Sequence, residues 1–113
     1  TKLDIQPALQ LTVTPDALLV DQKLVAPLDG AGRIRAEDLP DGENSYLVKP
    51  LYDALEDKAS YYKRIDEFGG SQFTGRVAVI ADRSISYRTL FKVLYTAGRA
   101  EFGSFKLFVQ KPE

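Results

Sequence analysis

A long amphipathic pattern with a helical period, which runs through residues 46–68, constrains the fold most strongly. At about 100° per residue its apolar side chains fall within roughly 140° of arc, and its charged side chains lie on the other side. The apolar set is Leu47, Val48, Leu51, Tyr52, Leu55, Ala59, Tyr62 and Ile65. The pattern predicts a helix that starts near residues 47–49, carries Pro50 in its first turn and ends at Gly69-Gly70.

Two short segments before this helix predict a β-hairpin. Residues 9–14 alternate apolar and polar side chains, a Pro-Asp pair at 15–16 interrupts them, and residues 17–20 resume as an apolar run. Asp21-Gln22 then fits either a tight turn into a third strand over residues 23–25 or a kink within the second strand. Residues 26–45 carry several Gly and Pro and predict a long ordered loop, with one edge strand as an option.

The segment after the first helix predicts a strand, a helix and a final strand. Arg76–Ala81 is apolar on both faces, as an interior strand is. Ser86 is the N-cap expected for a helix that runs to about Ala97, with Gly98 just past its end. Phe105–Gln110 is the last strand. The inner arc of this second helix is predicted to hold Tyr87, Leu90, Phe91, Val93, Leu94 and Ala97.

These elements predict an α+β fold, a two-layer sandwich in the order β-β-α-β-α-β with both helices on one face of a mixed sheet. The chain has 113 residues and contains no Cys and no His. We therefore expect one domain held by its core alone, with no zinc site and no Ser-His-Asp or Cys-His nucleophile. Catalysis would be limited to carboxylate, Lys or Tyr side chains, and an enzyme that uses carboxylates is the third alternative; we expect no cofactor and no enzymatic activity. The Gly30-Ala31-Gly32 and Gly69-Gly70 stretches lack the spacing of a phosphate loop and predict turns.

Charge is distributed unevenly along the chain. Residues 1–75 hold 8 basic and 13 acidic side chains, and residues 76–113 hold 7 basic and 3 acidic ones. Four residues of the second helix, Arg88, Lys92, Tyr95 and Arg99, fall within about 60° of arc on its predicted outer side. This stripe is either a solvated face or a cationic surface for carboxylates of a cell-wall glycan or of an acidic partner segment. Nucleic acid is not expected, because the chain is slightly acidic overall.

Three residues around the start of the second helix are predicted to be structural. Asp82 follows the interior strand, so its carboxylate is expected to accept backbone N–H groups of the connector. Ser86 caps the helix. Tyr87 is expected to pack inward with its hydroxyl satisfied.

The second half of the chain resembles the periplasmic domain of the ExbD/TolR family of ion-driven motor components. The shared succession is a strand ending in Ala81-Asp82, a short link to Tyr87, a helix containing Thr89–Leu94, a small-Gly pair at Ala97-Gly98 and a last strand at Lys106–Val109. Residues 5–8, Ile-Gln-Pro-Ala, also resemble the Leu-Pro segment that follows the family's transmembrane helix. The hairpin and the first helix match the family by position, so the resemblance covers most of the chain apart from residues 26–45. The chain departs from the family at Gln6, where Leu is usual, at Ser86, where an acidic residue often stands, and at Arg88, where Glu is common. Its loop before the first helix and that helix itself are longer than usual, so a gliding-type or other specialised paralogue is as plausible as the iron-uptake or envelope-maintenance members.

The resemblance implies a single-pass inner-membrane protein, dimeric, with this domain in the periplasm. Its transmembrane helix would sit in a ring of ExbB/TolQ-like subunits and would carry the essential carboxylate, so no residue here belongs to the proton path. The chain contains no Met and no apolar run of about 20 residues, and we therefore expect a preceding segment. The domain would pass the motor's motion to a TonB/TolA-like or other envelope protein, or to peptidoglycan. The alternative is a small regulatory or ligand-binding domain that recognises an anionic ligand through the basic helix face.

Residues 1–8 are predicted to be a juxtamembrane segment distinct from the domain at 9–113. Leu3 and Ile5 alternate with polar residues before Pro7. Such a segment can add to the exposed sheet edge of a second copy. Leu107 and Val109 of the final strand are the predicted acceptors.

Overall fold

The computed structural model describes residues 9–70 and 72–110, apart from the side chain of Glu43. Five strands and two α-helices follow one another in this range: β1 Leu9–Val13, β2 Ala17–Val20, β3 Lys23–Pro27, α1 Lys49–Glu67, β4 Arg76–Asp82, α2 Tyr87–Arg99 and β5 Ser104–Gln110. Two 3-10 turns, at Ala36–Asp38 and Gly42–Asn44, lie in the segment between β3 and α1. None of the helices described is long and apolar enough to cross a membrane.

The five strands form one mixed sheet in the order β3-β2-β1-β4-β5. β1 pairs antiparallel with β2 and parallel with β4, and β5 pairs parallel with β4. Leu11 lies opposite Val20 on one side and Val79 on the other, so these side chains share a face. The α+β class with a mixed sheet and two helices is therefore confirmed.

Both helices cover the same face of the sheet. Alternate residues of β1, β2 and β4 are buried there, in one cluster with the inner residues of the helices. The fully buried members with the largest side chains are Leu11, Val13, Leu18, Val48, Leu51, Leu55, Val77, Val79, Val93 and Phe102. α1 contacts β2, β3 and α2, which places it towards the β3 edge.

The segment at Asp21-Gln22 is a tight turn, so three strands precede the first helix. Asp21 and Gln22 have φ values of 50° and 71°, the left-handed pair that a type I′ hairpin turn requires. The Asp21 carboxylate accepts the backbone N–H of Gln10 at 3.0 Å, which helps to hold the turn. The observed order is therefore β-β-β-α-β-α-β.

The predicted start and end of α1 are confirmed. Pro50 lies in its first turn, and Gly69 beyond its last residue has φ 85°. The buried residues of α1, Leu51, Leu55 and Ala59, belong to the predicted apolar arc.

The predicted end of α2 is wrong, because the helix continues past Gly98 to Arg99. Phe102 donates its backbone N–H to the Ala97 carbonyl at 2.8 Å, and Glu101 donates to the Gly98 carbonyl at 3.1 Å. These two bonds form a Schellman motif, and its left-handed residue is Glu101, with φ 75°. The buried Phe102 ring draws the chain into the core directly after the helix.

The long segment between β3 and α1 is ordered by hydrogen bonds to its neighbours. The Pro15 carbonyl accepts the N–H groups of both Gly30 and Gly32 at 3.0 Å, and the two glycines have φ values of 90° and 79°. Gly30-Ala31-Gly32 is thus a turn, as predicted. In place of an edge strand the described part of this segment has one isolated bridge, between Leu28 and Ile34.

Candidate functional site

The side of α2 that is buried differs from the predicted one. Its buried residues are Thr89, Lys92, Val93, Thr96 and Ala97. Tyr87, expected to pack inward, is 79% exposed, and Phe91 is 41% exposed. Leu90 and Leu94 are partly buried against the core. The helix is rotated because one flank is covered by the segment that leads into α1, which the sequence pattern does not reveal.

Lys92 is buried and does not belong to an exposed basic stripe, so the predicted position of this residue is wrong. Its side chain is 5% exposed, and Nζ donates to the Ser45 carbonyl at 2.7 Å. One turn further on, the Thr96 hydroxyl accepts the Val48 N–H at 3.0 Å and donates to the Lys92 carbonyl at 2.7 Å. None of the strands that the structure describes pairs with the segment before α1, and side chains of α2 bind its backbone groups instead.

The other three residues of the predicted stripe lie on the exposed side of α2. Arg88, Tyr95 and Arg99 are exposed, and helical spacing puts them within about 40° of arc. The Arg99 guanidinium lies 5.9 Å from the centre of the Tyr95 ring, and Nη1 donates to the Tyr95 hydroxyl at 3.1 Å. Arg88 and Arg99 take part in none of the ion pairs found within residues 9–70 and 72–110.

An aromatic cluster accompanies these arginines. Tyr46, from the segment before α1, packs edge-on against Phe91 at 5.1 Å between ring centres and tilted against Tyr95 at 5.7 Å. Tyr87 extends the cluster, with its ring 6.4 Å from that of Phe91. We call the set Tyr46, Tyr87, Phe91, Tyr95, Arg88 and Arg99 the aromatic-arginine patch. Tyr87, Phe91 and Tyr95 are spaced four residues apart, which indicates an aromatic stripe along one side of a helix. Nothing in the sequence linked Tyr46 to α2.

The structural roles predicted for Asp82 and Ser86 are confirmed. The Asp82 carboxylate accepts the backbone N–H of Ser84 at 3.0 Å and its hydroxyl at 3.1 Å. The Ser86 hydroxyl accepts the Thr89 N–H at 3.2 Å and caps α2. These bonds fix the connector between β4 and α2.

A second exposed surface is the edge of the sheet at β5. All seven residues of β5 are exposed. The strand register places Phe105, Leu107 and Val109 on the helix-covered face, opposite Val77, Val79 and Ala81, and Phe108 on the open face. In the part of the chain that the structure describes, no strand pairs with the outer side of β5. The predicted partners Leu3, Ile5 and Pro7 lie outside the described residues.

The described residues contain no group of three or more acidic, His or Cys side chains that would hold a metal ion. Two charged side chains have pKa values moved by local bonds. Backbone N–H groups of Ala31 and Arg33 lower the pKa of the Asp29 carboxyl, and a hydrogen bond from Lys49 to Asp53 raises the pKa of Lys49. Both groups lie at turns or on a helix surface and are structural.

Comparisons with protein-family models, with curated proteins and with solved structures found no match for this chain.

Proposed function

We propose that this chain is the periplasmic domain of an ExbD/TolR-like inner-membrane motor subunit, which passes ion-driven motion to an envelope partner. The β5 edge would be the site where a second copy or the partner attaches. The mixed sheet with two helices agrees with the resemblance in residues 77–109, and the proposed role needs no catalytic group.

The observation that carries this proposal is that β5 is a long, regular and exposed edge strand. Edge strands of soluble proteins are commonly shortened, bulged, interrupted by Pro or covered, since an open edge pairs with other chains. β5 is seven residues long, pairs in register with β4 along its whole length and has no Pro. It exposes four large apolar side chains, Phe105, Leu107, Phe108 and Val109. An added strand would gain main-chain hydrogen bonds and cover these side chains.

The topology also supports a transmission role. The described chain enters the sheet at Leu9, the first residue of β1. β1 pairs with β4 and β4 with β5, so Leu11, Val79 and Leu107 lie in one row across three parallel strands. A displacement of the start of β1 therefore reaches β5 through two strand pairings, without passing through a loop. In the proposed subunit, a transmembrane helix held within an ExbB/TolQ-like ring would supply that displacement.

The experiment is sedimentation velocity of the 113-residue chain at micromolar concentration. We expect a dimer, and we expect either Leu107→Asp or deletion of residues 1–7 to give a monomer. Leu24→Asp is the matched control, because Leu24 is 63% exposed on the opposite edge strand β3, and it should stay dimeric. Far-UV circular dichroism verifies that each variant is folded. A dimer that survives Leu107→Asp, or a parent chain that is monomeric, would refute the proposed use of β5.

A further inference from the structure

We propose that the aromatic-arginine patch on α2 binds an acidic segment of another polypeptide, with an apolar or aromatic side chain of that segment anchored among the rings. This site is separate from the β5 edge and does not depend on the function proposed for it.

The charged residues of α2 indicate that the ligand is anionic. α2 carries Arg88, Lys92 and Arg99 and no acidic residue. With Lys92 buried, the two arginines are the cations that this helix presents to solvent. Neither forms an ion pair within the described residues. Helical spacing puts their Cα atoms about 16 Å apart on the same side of α2. Carboxylates along an extended or helical segment would meet both.

Arg99 is already held in place for such a contact. Its Nη1–H is bonded to the Tyr95 hydroxyl and its guanidinium lies over the Tyr95 ring. This arrangement restricts the side chain before a ligand arrives, so less conformational entropy is lost on binding. Arginine and tyrosine are also the residue types enriched where interfaces gain most of their energy.

The ring geometry favours a protein ligand over a glycan or single-stranded nucleic acid. Sugars and bases stack on flat ring faces, but here the planes of Tyr46 and Phe91 are 82° apart and those of Tyr46 and Tyr95 are 58° apart. Such tilted rings form a notched surface that suits a protruding side chain. The backbone around Tyr46 is also held by α2, because Lys92 binds the Ser45 carbonyl and Thr96 binds the Val48 N–H.

The test is a ¹H–¹⁵N NMR titration of the chain that also observes the arginine Nε–H signals. The probe is a 12-residue peptide of Ser and Glu with one central Phe, added to 5 mM. Its analogue with Lys in place of Glu, and polygalacturonate as an acidic glycan, are run in parallel.

We expect the Glu peptide to shift the amide signals of Tyr46, Phe91 and Tyr95 and the Nε–H signal of Arg99. We expect Arg88→Gln/Arg99→Gln to weaken binding by about tenfold or more, because it removes two charge-assisted contacts.

The matched control is Arg76→Gln/Arg83→Gln, which removes the same charge from two exposed positions, the first residue of β4 and the residue that follows its last, and should change the affinity by less than about twofold. The proposal would be overturned by the absence of shifts with the Glu peptide at 5 mM, by equal shifts with the Lys analogue, or by tighter binding of polygalacturonate at the same residues. Shifts confined to residues 104–110 would also overturn it and would support peptide docking at β5 instead.

Discussion

The two edges of the sheet differ in how they are protected. β3 is five residues long, has an irregular register with β2 at Leu18 and Leu19, ends in Pro27 and contacts α1. β5 is longer, regular and exposed throughout. The same chain thus closes one edge with several features that block strand addition and leaves the other without them.

The difference extends to the helix layer. The flank of α2 that holds Lys92 is covered by the segment before α1, and the buried side chains of Lys92 and Thr96 on this flank are hydrogen-bonded. Leu94 is about 200° around the helix from Lys92, so it faces away from that segment and is partly buried. The molecule therefore has a closed side, at β3 and α1, and an open side, at β5. The edge available for strand addition is therefore at β5, where no described strand pairs with the outer side.

The largest expected effect comes from placing a charge in the closed edge. Ala26 on β3 is 1% exposed, so Ala26→Asp should lower the free energy of unfolding by about 3 to 5 kcal/mol, because it buries an unpaired carboxylate. Val109→Asp on β5 should change it by less than about 0.5 kcal/mol. Urea melts at sub-micromolar concentration, where the chain is expected to be monomeric, measure both. Similar losses would mean that β5 is also a covered edge.

The two flanks of α2 should also respond differently. Lys92→Ala should cost about 1 to 3 kcal/mol of unfolding free energy, because the Ser45 carbonyl loses its donor in a buried place. Arg88→Ala, an exposed cation one turn earlier, should stay within about 0.5 kcal/mol. Thermal denaturation compares them, and equal effects would contradict the observed rotation of α2.

Sequence periodicity was sufficient to predict the buried residues of an element when one side of it meets the core and the other meets solvent. α1 is such an element, and its limits and buried residues Leu51 and Leu55 were predicted correctly. α2 has two apolar stripes, one at Val93 and Ala97 and one of aromatic residues, and the pattern alone does not say which is buried. The choice is made by a tertiary contact, the hydrogen bonds from α2 to the segment at 45–48.

Local conformations that depend on left-handed residues were harder to predict. Asp21-Gln22 forms a type I′ turn although neither residue is Gly, and Glu101 rather than Gly98 adopts the left-handed conformation after α2. In each case the neighbouring strands or the buried Phe102 determine the backbone. The sequence indicated the apolar content of β5, whereas only the strand order shows that no strand of residues 9–70 and 72–110 pairs with its outer edge.

A smaller effect of opposite sign is expected at the hairpin turn of the closed edge. Gln22 has φ 71°, a conformation that is costly for residues other than Gly, so Gln22→Gly should raise the free energy of unfolding by about 0.5 to 1 kcal/mol. Gln72→Gly, in the exposed segment before β4, controls for the general cost of adding a glycine. A destabilised Gln22→Gly variant would contradict the turn assigned here.

The smallest effect concerns pH and the turn beside β3. Backbone N–H groups of Ala31 and Arg33 bind the Asp29 carboxylate at 2.8 and 3.0 Å and lower its pKa from 3.8. A lowered folded-state pKa means that this group stabilises the fold above its unfolded-state pKa, and that the contribution is lost as the pH falls through the lower folded-state value. Asp29→Asn should therefore reduce the decline of the melting temperature below about pH 4. Asp57→Asn, which removes one exposed charge from α1, is the control. If the melting temperature of both variants falls equally steeply with decreasing pH, Asp29 does not have this role.

Amide hydrogen exchange of the two edge strands tests the open edge most directly. In a strand with one neighbour, alternate backbone N–H groups point away from the sheet and exchange freely. If β5 accepts a second copy, the outward N–H groups among residues 104–110 should exchange more slowly as the chain is concentrated from about 1 to 300 μM, across the micromolar range in which specific dimers commonly form. Those among residues 23–27 should not change. Exchange at β5 that is independent of concentration, or slowing at β3 instead, would contradict the assignment of β5 as the edge that pairs with another chain.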